Sequence, residues 1–337
     1  MMPPTKRIQI LNDNGESVEA VCPVIVSVSR STDIPAFYAD WFFERLNRGF
    51  VSWVNPFNRK PMYVSFEDTK LVVFWSKNPA PLLPYLDELK KRGIHCYVQY
   101  TINDYERDGL EPGVPKIEQR LSVFKELVTK LGKGAVIWRF DPLILTDQIN
   151  VGTLLDKATM IGDNLKGYTE KMVFSFADIA VYRKVSSNLA KFDIKYIEFT
   201  DVEKNEWAQG LELLNKRWNY SLATCAEDIS LEQYGIKHNK CIDDELMMKL
   251  FSNDATLMKF IGAERTLFEG LNIKKSHKDK GQRKICGCIV SKDIGEYNTC
   301  PHLCTYCYAN ANEELVLRNW KLHASNPTSE RIIPSCV

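Results

Sequence analysis

The chain has 337 residues, a formal net charge of +1, 45% hydrophobic and 26% charged side chains. That length suits a single α/β barrel or two modest domains, and the composition is that of an ordinary globular protein. Near-neutral charge excludes a global electrostatic field that would draw the protein to nucleic acid or anionic membrane, leaving only local patches for such roles.

The opening residues, MMPPTKRIQILNDNGESVEA, hold no apolar core fit for a signal peptide, and no run reaches membrane-spanning length. The expected compartment is the cytoplasm, with no membrane partner. Thiols stay reduced there, so where the ten cysteines gather they predict metal or cluster ligation rather than a disulfide framework.

In chain order, residues 8–22 read as two short strands around an Asn-Asp-Asn-Gly turn, a hairpin signal. Apolar, β-rich runs follow: VIVSVSR (24–30), LVVFWSK (71–77), IHCYVQYTI (94–102), AVIWRFD (135–141), KMVFSFA (171–177) and YSLATC (220–225). Between them IPAFYADWFFERLNRG, PLLPYLDELKKRG, IEQRLSVFKELVTKLG and NEWAQGLELLNKRWN repeat apolar residues at three and four, which predicts helices. Continuous Val/Ile/Phe runs predict strands buried on both faces, as in a parallel sheet. Repeated βα units of this length predict an α/β barrel, with a doubly wound sheet as the alternative.

Polar residues end these strands: Arg30-Ser31-Thr32-Asp33, Lys77-Asn78, Thr101 with Asn103 and Asp104, Arg139 with Asp141, Asp178, and Cys225 with Glu227. The carboxyl ends of the strands form the active face of a βα barrel. Ser, Thr, Asp and Asn there can equally cap the following helices. Lys77 and Arg139 are poor N-caps and argue for a site. Beyond Cys225 the pattern changes: residues 243–270 read as helical, and 274–284 (KKSHKDKGQRK) as a basic linker, solvated or phosphate-binding.

The stretch NTCPHLCTYCYAN sets Cys300, Cys304 and Cys307 on one tight loop. Zinc takes four ligands, usually from paired CxxC-like units, and an iron–sulfur cube is normally held by four thiolates. Three thiols need a fourth ligand, such as His302 or a distant cysteine, or else leave one iron open. An open position marks a catalytic metal rather than a structural one.

The CxxxCxxC spacing with Tyr306 before the last cysteine resembles the signature of radical S-adenosylmethionine (SAM) enzymes. The longer YNTCPHLCTYCYAN, with His302, Tyr308 and Ala309, is similar to the cluster loop of the spore photoproduct lyase branch. The whole chain also resembles a bacterial family, domain of unknown function 1848, whose cysteine cluster lies at the C-terminus. The resemblance implies a [4Fe–4S] cluster on Cys300, Cys304 and Cys307, its open iron chelating the amino and carboxylate groups of SAM. One electron, from a donor such as flavodoxin or ferredoxin, would then cleave SAM to methionine and a 5′-deoxyadenosyl radical that abstracts hydrogen from substrate. A small molecule, a nucleoside in RNA and a peptide side chain all stay open as substrate. The rival reading is a non-catalytic iron–sulfur or zinc protein, in one version a nucleic-acid binder using the basic linker.

In the radical SAM fold the cluster loop follows the first barrel strand; here it follows CGCIVSKDIG (286–295), the last strand-like stretch. SRSTDIP, FWSKNP, YTIND and WRFDPL resemble the ends of the second to fifth strands, in order. The resemblance therefore implies a circular permutation, tolerable where the termini can meet. The expected organisation is 1–225, barrel strands two onward with the N-terminal hairpin; 226–285, helical insert and basic linker; and 286–337, first strand, cluster loop and tail. By position Asp33, Lys77, Asn103 and Arg139 would contact the cofactor, with Tyr306 near its adenine. No Gly-Gly-Glu turn follows residues 24–30, and no GxIxGxxE occurs.

A second set, Cys225, Cys241, Cys286 and Cys288, has Cys225 at a strand end and Cys286 and Cys288 opening the stretch before the loop. It suits an auxiliary [4Fe–4S] cluster, frequent in the family resembled, or a structural zinc; plain buried thiols are the remaining reading. Cys22 and Cys96 read as core residues, Cys336 as a tail thiol, and His238 and His277 as surface or loop histidines.

Overall fold

The computed structural model describes residues 6–56, 58–266, 270–274 and 276–334. Strands Ile25–Val28, Leu71–Ser76, His95–Thr101, Val136–Leu143, Lys171–Phe176, Ser221–Thr224 and Lys237–His238 lie side by side in that chain order. Every neighbouring pair is parallel. The eighth strand, Lys292–Asp293, comes from the far end of the chain and pairs parallel with Ile25–Val28, Lys292 opposite Val26 and Asp293 opposite Ser27. All six apolar runs are thus strands of one sheet.

Both faces of this sheet are covered, and alternate residues divide between them. Val26, Val72, Phe74, Val98, Tyr100, Val136, Trp138, Met172 and Phe174 pack against the helices Ala39–Arg48, Ile117–Leu131, Val151–Leu165 and Asp201–Trp218. Ile25, Leu71, Val73, Tyr97, Ile137 and Val173 face the other way. They meet Cys241, Ile242, Met247, Leu257, Met258, Ile261, Cys286, Cys288 and Ile289. The chain beyond Cys225 therefore fills the second face.

The N-terminal hairpin forms as expected, Lys6–Leu11 against Ser17–Cys22. Asn12 Oδ1 accepts from the backbone of Asn14 and Glu16, and Gly15 closes the turn at a φ of 79°. Strands Phe50–Val54 and Pro61–Ser65 extend the hairpin into a four-stranded sheet.

Several boundaries differ from the sequence pattern. The run from Ile34 breaks at Tyr38 into Ile34–Phe37 and Ala39–Arg48, where the buried Tyr38 hydroxyl donates to the Thr299 carbonyl at 2.5 Å. The next helix starts as a 3₁₀ turn, Ala80–Tyr85, holding Pro84, before Leu86–Lys91. Residues 243–270 are not one helix. Asp243 and Asp254 cap two short ones, Asp244–Phe251 and Ala255–Ile261; Gly262 ends the second at a φ of 74°, and Ala263–Thr266 pairs with Gly270–Ile273 as a hairpin. Residues 267–269 of that stretch, Lys275 of the basic stretch and Cys336 lie outside the described residues.

The stretch 286–295 is also shorter as a strand than its composition suggests. Only Lys292–Asp293 pairs with the sheet, so Cys286 and Cys288 precede the strand. Their segment is bonded elsewhere: Asp279 N–H donates to the Cys288 carbonyl (2.9 Å), Ile289 N–H to Ile242 (3.1 Å) and Val290 N–H to His277 (3.0 Å). Among the described residues no helix is long and apolar enough to cross a membrane.

Helices Val151–Leu165 and Asp201–Trp218 meet where the Trp218 ring stands over Gly162. A Cβ added at Gly162 would lie 2.4 Å from that ring, and Tyr220 hydroxyl fastens the same turn by donating to the Gly162 carbonyl at 2.9 Å. Gly162→Ala is expected to destabilise the protein by about 1–3 kcal/mol through overpacking, against the usual gain for Gly→Ala in a helix. Urea unfolding checks this; unchanged or raised stability would show that Trp218 moves aside freely.

Candidate functional site at the carboxyl ends of the parallel strands

The cysteine loop leaves the sheet after Asp293. It is irregular, with left-handed backbone at Asn298 (φ 61°) and Leu303 (φ 53°), a conformation costly for a bulky leucine. Its shape is imposed by bonds to distant parts of the chain. His302 N–δ1 lies 2.9 Å from the Gly113 carbonyl while Gly113 N–H donates to the His302 carbonyl at 3.0 Å. A Cβ at Gly113 would fall 2.7 Å from that His302 oxygen, so only glycine permits the approach. Thr305 N–H donates to Leu110 O at 3.0 Å, and Asn310 Nδ2 to Cys300 O at 2.9 Å.

Asp33 pins the loop to the strand ends. Its Oδ1 accepts from Ala36 N–H (3.0 Å) and the Ser76 hydroxyl (2.7 Å), and its Oδ2 from Lys77 N–H (2.7 Å) and His302 Nε2 (2.8 Å). Both His302 ring nitrogens are therefore occupied, which leaves neither for a metal.

A second anchor surrounds Tyr306. Its hydroxyl donates to Glu111 Oε1 and accepts from Lys77 Nζ (2.9 Å) and Asn103 Nδ2 (3.2 Å). Lys77 Nζ also binds Glu111 at 2.7 Å, and Arg120 lies 3.5 Å from the other Glu111 oxygen. Burial alone would raise the Glu111 carboxyl, but the Lys77 and Arg120 charges, with hydrogen bonds from Lys77 and Tyr306, outweigh it and hold the group at about 2. Burial raises the Cys304 thiol well above its ordinary value, and Lys77 opposes that rise. Lys77 is thus a fixed cation beside the Cys304 thiol.

Of the residues expected at the site, Asp33, Lys77, Asn103 and Tyr306 come together on the loop that carries Cys300, Cys304 and Cys307. Arg139 points elsewhere. It pairs with the Asp141 carboxylate, and its Nη1 lies 3.0 Å from Cys241 Sγ. There Cys225 Sγ stands 3.5 Å from Cys241 Sγ, and Cys241 N–H donates to Cys288 Sγ at 3.2 Å. Asp141 links the two regions, its N–H donating to Asn103 Oδ1 at 2.9 Å. Cys22 and Cys96 are buried, as expected, while His238 lies exposed on an edge strand.

Glu111, Arg120 and the anchoring role of His302 did not emerge from the sequence pattern. Glu111 sits in the turn-like EPGVP, where one acidic residue carries no periodic signal. Glu227, after strand Ser221–Thr224, is raised to about 7 by burial, although Phe176 N–H donates to it. Among the described residues no three His, Cys, Asp or Glu side chains are already gathered as a site for a metal ion.

The model of a family described as a domain of unknown function (DUF1848) matches residues 25–309. The match takes in the sheet and both cysteine sets, and the chain belongs to that family. No curated relative and no solved structure matches the chain.

The depressed Glu111 carboxyl has a signed consequence. Its ionised form contributes stability above its ordinary value of 4.5, and that contribution is lost as pH falls towards about 2. Glu111→Gln, which leaves Lys77 without its counter-charge and Arg120 with Glu106 alone, is expected to lower stability at neutral pH. The gap from the parent protein should close between pH 4.5 and 2. Urea unfolding of the metal-free proteins across that range measures it; a gap independent of pH would refute the assignment.

Proposed function

We propose that this member of the family is a radical SAM enzyme, built on a circularly permuted (β/α) barrel, with a [4Fe–4S] cluster on Cys300, Cys304 and Cys307. The observation that carries the reading is a loop of three thiols locked against the carboxyl ends of parallel strands, with its own histidine already spent on Asp33 and Gly113. Soft thiolates suit iron–sulfur chemistry, and three of them leave one iron corner for a cofactor. The pairing of Lys292–Asp293 beside Ile25–Val28 supports the permutation, because it sets the loop after the strand that precedes the first in space. The Ile289–Ile242 hydrogen bond supports closure of the barrel, since it joins chain next to the two edge strands.

The fit gives the chain's own residues distinct tasks. Asp33 has all its bonds committed internally and positions the loop; it has no oxygen to spare for SAM. Lys77, Asn103 and Tyr306 form a polar wall beside Cys304, fixed by Glu111, that can orient the methionine or adenosine part of the cofactor. Arg139, turned to Cys241, is withdrawn from that group. When bound, the cluster supplies the electron that splits SAM and so yields a 5′-deoxyadenosyl radical for hydrogen abstraction. The chemistry calls for a one-electron donor such as flavodoxin or ferredoxin.

Anaerobic reconstitution with iron and sulfide, followed by reductant and SAM, tests the reading. The parent protein is expected to form 5′-deoxyadenosine, and Cys304→Ala to lose it along with the loop's cluster. A fully loaded protein that forms none would overturn the proposal.

A further inference from the structure

The polar groups on the second face of the sheet are arranged for charged sulfur. Cys225 and Cys241 touch through their sulfurs at 3.5 Å, while Cys288 and Cys286 approach from the segment before the last strand. Two donors converge on Cys241 Sγ, Arg139 Nη1 and Asn239 Nδ2, both at 3.0 Å. Two more reach Cys288 Sγ, the backbone N–H groups of Cys241 (3.2 Å) and Ile242 (3.4 Å). Neutral thiols are weak acceptors, and four donors aimed at two sulfurs is the environment of thiolates that hold a metal.

A second guanidinium stands close by. Arg30 and Arg139 both lie over the Trp75 ring, at 5.3 and 5.2 Å. Arg30 is within electrostatic reach of the Asp293 carboxylate and, more weakly, of Cys288, Cys241 and Cys286, and its buried Nη2 has no hydrogen-bond partner. An unpaired buried guanidinium nitrogen is costly unless an anionic neighbour offsets it. Four metal-bound thiolates carry more negative charge than either zinc or a [4Fe–4S] core neutralises, and two arginines, each also facing a carboxylate (Asp141 and Asp293), stand beside them to offset part of the excess.

We infer that Cys225, Cys241, Cys286 and Cys288 form a four-thiolate metal centre on the second face of the sheet, separate from the Cys300–Cys304–Cys307 loop. The ligand is a thiophilic metal, zinc or an iron–sulfur core. As they stand the thiols do not surround one point, and the centre closes by side-chain rotation as the metal enters. The thiols release their protons to solvent on binding. The Cys225–Cys241 pair needs little movement for zinc, whose tetrahedral bonds of about 2.3 Å set sulfurs about 3.8 Å apart. A cube needs the pair to open further.

The test removes the other site. Cys300→Ala/Cys304→Ala/Cys307→Ala in the full chain is purified anaerobically and checked for folding by circular dichroism. It is then exposed to zinc alone, or to ferrous iron with sulfide. The expected result is about one zinc per chain with an all-sulfur shell by X-ray absorption, or about four irons with matching sulfide. Either supports the centre and says which metal it takes. Adding Cys241→Ser to this background should abolish the bound metal. A folded triple variant that takes up neither, or whose metal has nitrogen or oxygen ligands, overturns the inference. Because 5′-deoxyadenosine is not the readout, failure of the proposed activity would leave this result standing, and the reverse holds too.

Discussion

A single buried carboxylate governs where the cysteine loop sits. Asp33 receives the Ala36 amide, the Ser76 hydroxyl, the Lys77 amide and the His302 ring, so its charge is satisfied without water. Those four donors come from two strand ends and from the loop itself. Between Asp293 and the helix Glu313–Ser325 the chain has no regular structure of its own. The loop therefore borrows its geometry from the parallel sheet. Leu303 holds a left-handed backbone because bonds on either side, at His302 and Thr305, over-determine it.

Charge around the loop is arranged with the same economy. Lys77 stands between Glu111 and Cys304, close enough to both that each raises its affinity for a proton against the cost of burial. Glu111 then keeps Tyr306 in place and holds Arg120 in the same buried group. From there hydrogen bonds run through Asn103 to Asp141, and the Asp141 carboxylate takes Arg139, whose other nitrogen meets Cys241. The two cysteine sets thus share one polar framework. Low dielectric inside the sheet strengthens those hydrogen bonds.

The parts that were legible in the sequence are those written in periodic patterns. The six strands showed because a strand buried on both faces must be apolar throughout, and the polar residues that end them mark the carboxyl edge. Less legible was any feature decided by one long-range contact. Glu111 is a lone acid in a turn until Lys77 and Tyr306 meet it. Arg139 ends a strand just as Lys77 does, but which neighbour it faces depends on the chain around Cys241 that fills the second face. The stretch 286–295 has strand-like composition, yet its first half spends its backbone bonds on residues 242, 277 and 279, which no local pattern encodes. Residues 263–266 follow two helical turns without a change of composition, and Gly262 alone signals that the helix has ended.

The late position of the loop also bears on how the site is assembled. His302 reaches Asp33 across 269 residues of chain, and Tyr306 reaches Lys77 across 229. The strand that carries the loop is only two residues long, too short to hold its place by ladder bonds alone. Its docking relies on side chains already arranged by the first half of the chain: Ser27 and the Arg30 backbone on Asp293, and Asp33 on His302. Contacts of such separation close long loops and carry the larger loop-closure cost. The thiols of the loop therefore hold their place through contacts of long sequence separation. The segment that adds the edge strand beside Ile25–Val28 is also the one that carries the three thiols.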